Sequence, residues 1–209
     1  MLLQLAIDCF TLDEALAITE EVSDLVDIVE VGTPLILREG VAAVRRLKEK
    51  YPFLCILADM KIIDGAEYES RLAFDAGADI VTVLAAAEDQ TIAIATHTSE
   101  EYGKEVMVDL IGLKDAAGRT SEIEQLGAHY LCVHRSTDLG QRGPGTVHDL
   151  GQFKAAAGDM KIAVAGGIDT QVLQYMAIPK PDIAIVGSYI TNSENRREAA
   201  STIRNHMGE

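Results

Sequence analysis

The chain has 209 residues, 48% hydrophobic and 24% charged, enough for one sizeable core and too ordinary in usage for a disordered or low-complexity protein. A formal net charge of −15, with no large Lys/Arg cluster, argues against nucleic acid or an anionic membrane as partner and for a small-molecule substrate. Cys9, Cys55 and Cys132 are an odd number set in or beside apolar runs, which suits reduced core thiols in the cytoplasm better than a disulfide framework.

The N-terminal "MLLQLAIDCF" has no basic leader or cleavage site, and no apolar run nears the roughly 18 to 20 residues that span a bilayer, so a soluble, unprocessed protein is expected. From there, short apolar, β-branched runs alternate with longer amphipathic stretches. The strand-like runs cover 2–8, 26–31, 53–59, 78–84, 105–111, 129–134, 161–166 and 182–187. Between the second and third, "EGVAAVRRLKEKY" repeats Val41, Val44 and Leu47 at helical spacing, leaving Arg45, Arg46, Lys48 and Glu49 for the solvent face. Gly77 and Gly127 stand where helix ends need a left-handed residue before the next strand. "DAGADIVTVL", "QLGAHYLCVH" and "IPKPDIAIVG" echo one another at these turns. Eight such units, with no dinucleotide or P-loop fingerprint, predict an α/β fold: a (β/α)8 TIM barrel forming a single domain over 1–209.

A barrel of this kind builds its site at the C-terminal ends of its strands. In chain order those ends offer Asp8, Glu30, Asp59 with Lys61, Asp109 and His134. One strand-end acid alone reads as a turn former or helix cap; several ionisable groups on one rim read as a site. His97, His148 and His206 fall in helical patterns and His129 opens a strand, so His134 is the histidine that ends one. Thr82 and Asp138 are weaker candidates with structural roles as the simpler reading. Lys61 lies between Asp59 and Asp64, which favour its ammonium form, so it reads as a fixed cation for an oxygen gaining negative charge rather than a Schiff-base nucleophile. Glu30 and Asp59, from adjacent strands, suit a hard divalent ion, best Mg2+, with a substrate diol or hydroxyketone completing its shell; no Cys/His spacing suits zinc. "AVAGGIDTQ" and "IVGSYITNSE" follow the last two strands, and Gly166, Gly167, Gly187 and Ser188 are the expected phosphate-binding positions.

Asp59, Lys61 and Asp64 form the Asp-x-Lys-x-x-Asp pattern after the third strand. With "LQLAID", "DIVEVGTPLILREG", "AGADIVTVL", "VMVDLI" and "KIAVAGGI", the whole chain resembles the orotidine monophosphate decarboxylase suprafamily, and within it the hexulose-6-phosphate synthases. The resemblance implies a Mg2+-dependent, reversible aldol condensation of formaldehyde with D-ribulose 5-phosphate through an enediolate. It implies that Glu30 and Asp59 hold Mg2+, that Lys61 contacts substrate oxygens, and that Asp64 reaches the neighbouring site of a homodimer. It also makes His134 the acid/base near C1, with Asp8 and Asp109 orienting hydroxyls or the lysine. One departure is "HRSTD" at 134–138, which is closer to the sister 3-keto-L-gulonate-6-phosphate decarboxylases. Ser188, Ala165 and Asp109 favour the synthase branch. A phosphosugar-binding sensor or inactive paralogue is the non-enzyme alternative.

Overall fold

The computed structural model describes residues 1–136, 138, 150–176 and 180–208. Eight parallel strands, β1 (Leu2–Ile7), β2 (Ile28–Val31), β3 (Cys55–Ile62), β4 (Ile80–Leu84), β5 (Glu105–Asp109), β6 (Tyr130–His134), β7 (Lys161–Ala165) and β8 (Ile183–Val186), pair in chain order. β8 returns to β1, which closes the barrel and leaves no sheet edge. Alternate residues point in and out. Ile28, Leu57, Ile80, Met107, Tyr130 and Ile183 pack the barrel interior. Leu5, Val29, Ile56, Val81, Val108 and Ile162 face the outer helices and are essentially inaccessible. Each such aliphatic side chain contributes about 1.5 to 3 kcal/mol of burial.

The outer layer among the described residues is α1 (Leu12–Val22), α2 (Thr33–Glu39), α3 (Ala42–Lys50), α4 (Ala66–Asp75), α5 (Asp89–Tyr102), α6 (Ala116–Gln125), α7 (Leu150–Ala156), α8 (Thr170–Tyr175), α9 (Ser188–Thr191) and α10 (Arg196–Met207). None is long and apolar enough to cross a membrane. In α3, Val44 and Leu47 are buried and Arg45, Arg46 and Glu49 exposed, as the periodicity predicts. Lys48 departs from it: Nζ donates to Leu54 O at 2.9 Å and to Asp79 Oδ2 at 2.8 Å. The run read as one helix is preceded by α2, which starts at Thr33 and Pro34, where proline's fixed φ suits a first turn. Gly77 and Gly127 have φ of +100° and +84°, as their place after α4 and α6 requires. His97 and His206 are exposed on helices, and His148 lies outside the described residues.

At the N-terminal end of the barrel the sequence echo acquires a cause. Asp27, Asp79, His129 and Asp182 each precede an even-numbered strand. Each side chain accepts the backbone N–H of a residue on the strand before: Leu3, Ile56, Val106 and Ile162, at 2.7, 2.8, 3.2 and 2.8 Å. Each backbone N–H in turn donates to the carbonyl of that same residue. Four repeated brackets thus tie neighbouring strands at the closed end. Asp79 also takes Lys104 Nζ at 2.6 Å, and Asp27 pairs with Arg204 at 2.8 Å.

The third strand differs from its sequence-based bounds. It continues past Asp59 to Ile62, and its register against β4 slips between Ala58 and Ile62. Lys61 lies in the slip with φ +49°, the only left-handed non-glycine among the described residues. An L-residue there costs about 1 to 2 kcal/mol. The backbone at this point is held by the Lys61 N–H donating to Thr82 Oγ1 at 2.9 Å.

Candidate active site

A cavity of about 470 Å³ opens at the C-terminal mouth. Asp8, Glu30, Asp59, Lys61, Asp109, His134, Gly166, Gly167, Gly187 and Ser188 all line it, so nine of the ten loop and strand-end positions sought from the sequence beyond Asp8 need no relocation. Asp64 does not. It is exposed on the loop after β3 and accepts the Gly65 N–H at 2.8 Å.

Asp59 is the hub of the mouth. It is 4% exposed, and its Oδ1 accepts the Thr82 hydroxyl at 2.8 Å. Its Oδ2 forms an ion pair with Lys61 Nζ and lies 2.7 Å from Thr33 Oγ1. The Lys61 ammonium also donates to Thr33 Oγ1 at 3.1 Å. Thr82 therefore joins the Asp59 carboxylate to the left-handed Lys61 backbone, and Thr33 joins the carboxylate to the ammonium. Burial alone would lower the Lys61 pKa, but Asp59, then Asp109 and Glu30, outweigh it and raise the value. The cation is fixed, but of the two acids that flank it in sequence only Asp59 takes part; Asp109 and Glu30 stand in the place expected of Asp64.

Glu30 is enclosed beside Asp59, and Gln4 Nε2 donates to its Oε2 at 2.6 Å. Burial, then the Asp59 charge, push its carboxyl well above the usual glutamate value. Gln4 Oε1 is buried with no hydrogen-bond partner among the described residues. Asp8, exposed at the rim, has its pKa raised by desolvation and then by Asp59. Two hard carboxylates on adjacent strands, one of them with its charge unmatched, fit a divalent cation. Gly32 makes room here: a Cβ on it would stand 2.3 Å from Asp8 Oδ1 and 2.6 Å from Ile7 O.

On the β5–β6 side, His134 Nδ1 lies 2.8 Å from Asp109 Oδ2, and Asp109 Oδ1 accepts the Ile111 N–H at 2.9 Å. The carboxylate is thus fixed by backbone and orients the imidazole. Register sets Asp109 opposite Cys132, and Cys132 and His134, two apart on one strand, share a face. Sequence spacing shows no soft-metal set, but sheet pairing brings donor atoms of Asp109, Cys132 and His134 within 4.8 Å of one another. Beyond β7, Gly166 has φ +99°, and a Cβ there would meet Arg135 O at 2.2 Å, so only glycine fits. Gly167 follows at φ +69°, and Gly187 leads into Ser188 at the start of α9. Gln4, Gly32 and Thr33 escape sequence reasoning; the last two sit in "VGTP", which reads only as a turn into a helix.

Residues 1–203 match the orotidine 5'-phosphate decarboxylase / HUMPS family. The chain belongs to that family. It is 41% identical over 204 residues to the 3-hexulose-6-phosphate synthase of Bacillus subtilis, covering 98% of this chain and 97% of that one. Among solved structures, the 3-hexulose-6-phosphate synthase of Salmonella typhimurium superposes with a TM-score of 0.94 at 43% identity, over 99% of this chain and 98% of that one. The 3-keto-L-gulonate-6-phosphate decarboxylase of Vibrio cholerae superposes at 0.88 with 30% identity, over 99% and 96%. The family membership read from Asp59, Lys61 and Asp64 is borne out, and both branches weighed from the sequence stand among its relatives.

Proposed function

We propose that the protein is a cytoplasmic 3-hexulose-6-phosphate synthase, condensing formaldehyde with D-ribulose 5-phosphate reversibly through an enediolate, with Mg2+ held by Glu30 and Asp59. The observation that carries the reading is the mouth's arrangement: a lysine fixed as ammonium on Asp59 shares one cavity with an imidazole oriented by Asp109. Identity above 40% over nearly the full length to proteins named as such synthases supports the same choice.

Gly166, Gly167, Gly187 and Ser188 are suited to receive the sugar's phosphate, since glycine lets backbone N–H groups approach an anion. With its Nδ1–H donated to Asp109, His134 keeps a lone pair on Nε2 to take the proton from C1. The C–H electron pair moves into the C1–C2 bond and charge passes to the C2 oxygen. Lys61 donates hydrogen bonds to that oxygen, and because its position is fixed before reaction, little reorganisation is needed. C1 then attacks the formaldehyde carbon, a C–C bond forms, and His134 returns its proton to the former aldehyde oxygen. When bound, Mg2+ supplies a Lewis acid for the sugar's oxygens. Asp8 is placed to orient a hydroxyl at the rim. Exposed Ile63, Tyr68 and Leu72 flank Asp64, which supports a homodimer in which Asp64 enters the neighbouring mouth.

A second reading, 3-keto-L-gulonate-6-phosphate decarboxylase, is favoured by Arg135 and Ser136 after His134. Ala165 and Ser188 favour the synthase. A side-by-side assay of formaldehyde consumption with ribulose 5-phosphate and CO2 release from 3-keto-L-gulonate 6-phosphate decides between them. Formaldehyde consumption should dominate, and a faster decarboxylation would reverse the assignment.

A further inference from the structure

Among the described residues, one group of three side chains converges its donor atoms as a metal centre does. Asp109, Cys132 and His134 bring a carboxylate oxygen, a sulfur and an imidazole nitrogen within 4.8 Å of one another. We propose that they form a site for a borderline divalent ion of the zinc type, separate from the hard-cation position at Glu30 and Asp59.

The donor chemistry separates the two positions. Sulfur and imidazole select zinc-like ions, whereas Mg2+ takes oxygen and keeps its waters. Geometry agrees. An ion bonded to these three donors at the usual lengths holds them about 3.3 to 3.8 Å apart, so side-chain adjustment rather than backbone movement closes the shell. The donors stand on paired strands with Asp109 in register with Cys132, a rigid mount for a site. Cys132 and Asp109 are each 3% exposed, yet all three residues line the cavity, which leaves an ion a route in. Electrostatics favours a second cation: Asp8, Glu30, Asp59, Asp109 and Asp138 line the mouth against Lys61. As the metal–sulfur bond forms, the thiol proton leaves to solvent.

Occupation would take His134 and Asp109 out of proton transfer while leaving Glu30 and Asp59 free, making the site a zinc-sensitive off state. That consequence rests on the proton-transfer role given to His134 above; the binding itself does not.

Cobalt(II) absorption tests the binding directly. The purified protein, with Mg2+ in excess, should bind one equivalent of Co2+ with a near-ultraviolet thiolate charge-transfer band, displaced by Zn2+. Cys132→Ser, and Cys132→Ala as the variant that adds no polar group to the interior, should lose that band, while Cys9→Ser and Cys55→Ser keep it. Absence of the band in the unsubstituted protein, or its survival without the Cys132 thiol, overturns the site. In the Mg2+-saturated aldol assay, Cys132→Ser should need about tenfold more Zn2+, or higher, for half inhibition. Equal sensitivity, with the cobalt spectra as expected, would overturn the inhibitory role alone.

Discussion

At the closed end of the barrel, Asp79 lies between Lys48 and Lys104 and takes the Ile56 N–H. Burial works to raise its pKa, but the two lysines and the backbone outweigh that and hold it below the usual value. At the open end, Glu30 is no less enclosed, has the Gln4 amide as hydrogen-bond donor, and is raised by burial and by Asp59. The same kind of side chain is satisfied at one end and left wanting a counter-charge at the other. The closed end uses its acids to join strands, whereas at the open end Glu30 is left with an amide donor and no cation of its own. An unmatched buried charge costs stability, and that cost marks the site.

The largest effect expected on the open side is from Lys61→Ala. Turnover per folded molecule should fall about 10³-fold, the loss expected of an ammonium that serves the developing oxyanion, and the melting temperature should fall as well, because Asp59 loses its ion-pair partner. Near-parental turnover would break the contrast. On the closed side, Asp79→Ala should cost about 3 kcal/mol in urea unfolding near pH 7 and leave turnover per folded molecule unchanged, since it strands two lysines and an amide. The pH sign follows from the lowered pKa. Asp79 contributes stability above the ordinary carboxylate value of 3.8, and loses it as pH falls through the lower folded value, so Asp79→Ala should flatten the acid limb. An unaltered acid limb would remove Asp79 as its cause.

Thr82→Val should lower kcat about 10- to 100-fold with little change in KM, and Thr82→Ser should restore most of it. The hydroxyl touches both Asp59 and the Lys61 backbone, and it matters only if their relative placement does. Equal loss in Val and Ser would point to packing instead. The smallest effect is from Glu30→Gln. The folded pKa of Glu30 is raised, so any stability it contributes is present at low pH and lost as pH rises through that value. Glu30→Gln should leave the protein at pH 7 no less stable than the parent, while raising the Mg2+ concentration needed for half-maximal activity. A clear destabilisation would mean that the open end is satisfied like the closed one.

Much of this was legible in the chain. Eight β-branched runs announce eight strands, because a strand buried on both faces has to be apolar throughout, and any acid at its end then stands out. Asp59, Lys61 and His134 were readable for that reason. The course of β3 to Ile62 was not, because a left-handed lysine in a register slip has no local signature. Nor were the brackets of Asp27, Asp79, His129 and Asp182, whose partners lie 20 to 24 residues away. Thr33, and the meeting of Asp109 with Cys132 and His134, depend on which strands pair and in what register. Sequence spacing carries one dimension of that information, and closure of the barrel supplies the other.

The most direct test follows the C1 proton of ribulose 5-phosphate by NMR in deuterated water, with Mg2+ present and formaldehyde absent. Exchange should proceed with the parent protein, stop on chelation, and be lost in Lys61→Ala. Binding of the sugar phosphate without exchange, or exchange undiminished after chelation, would contradict a mouth built to hold charge on that substrate.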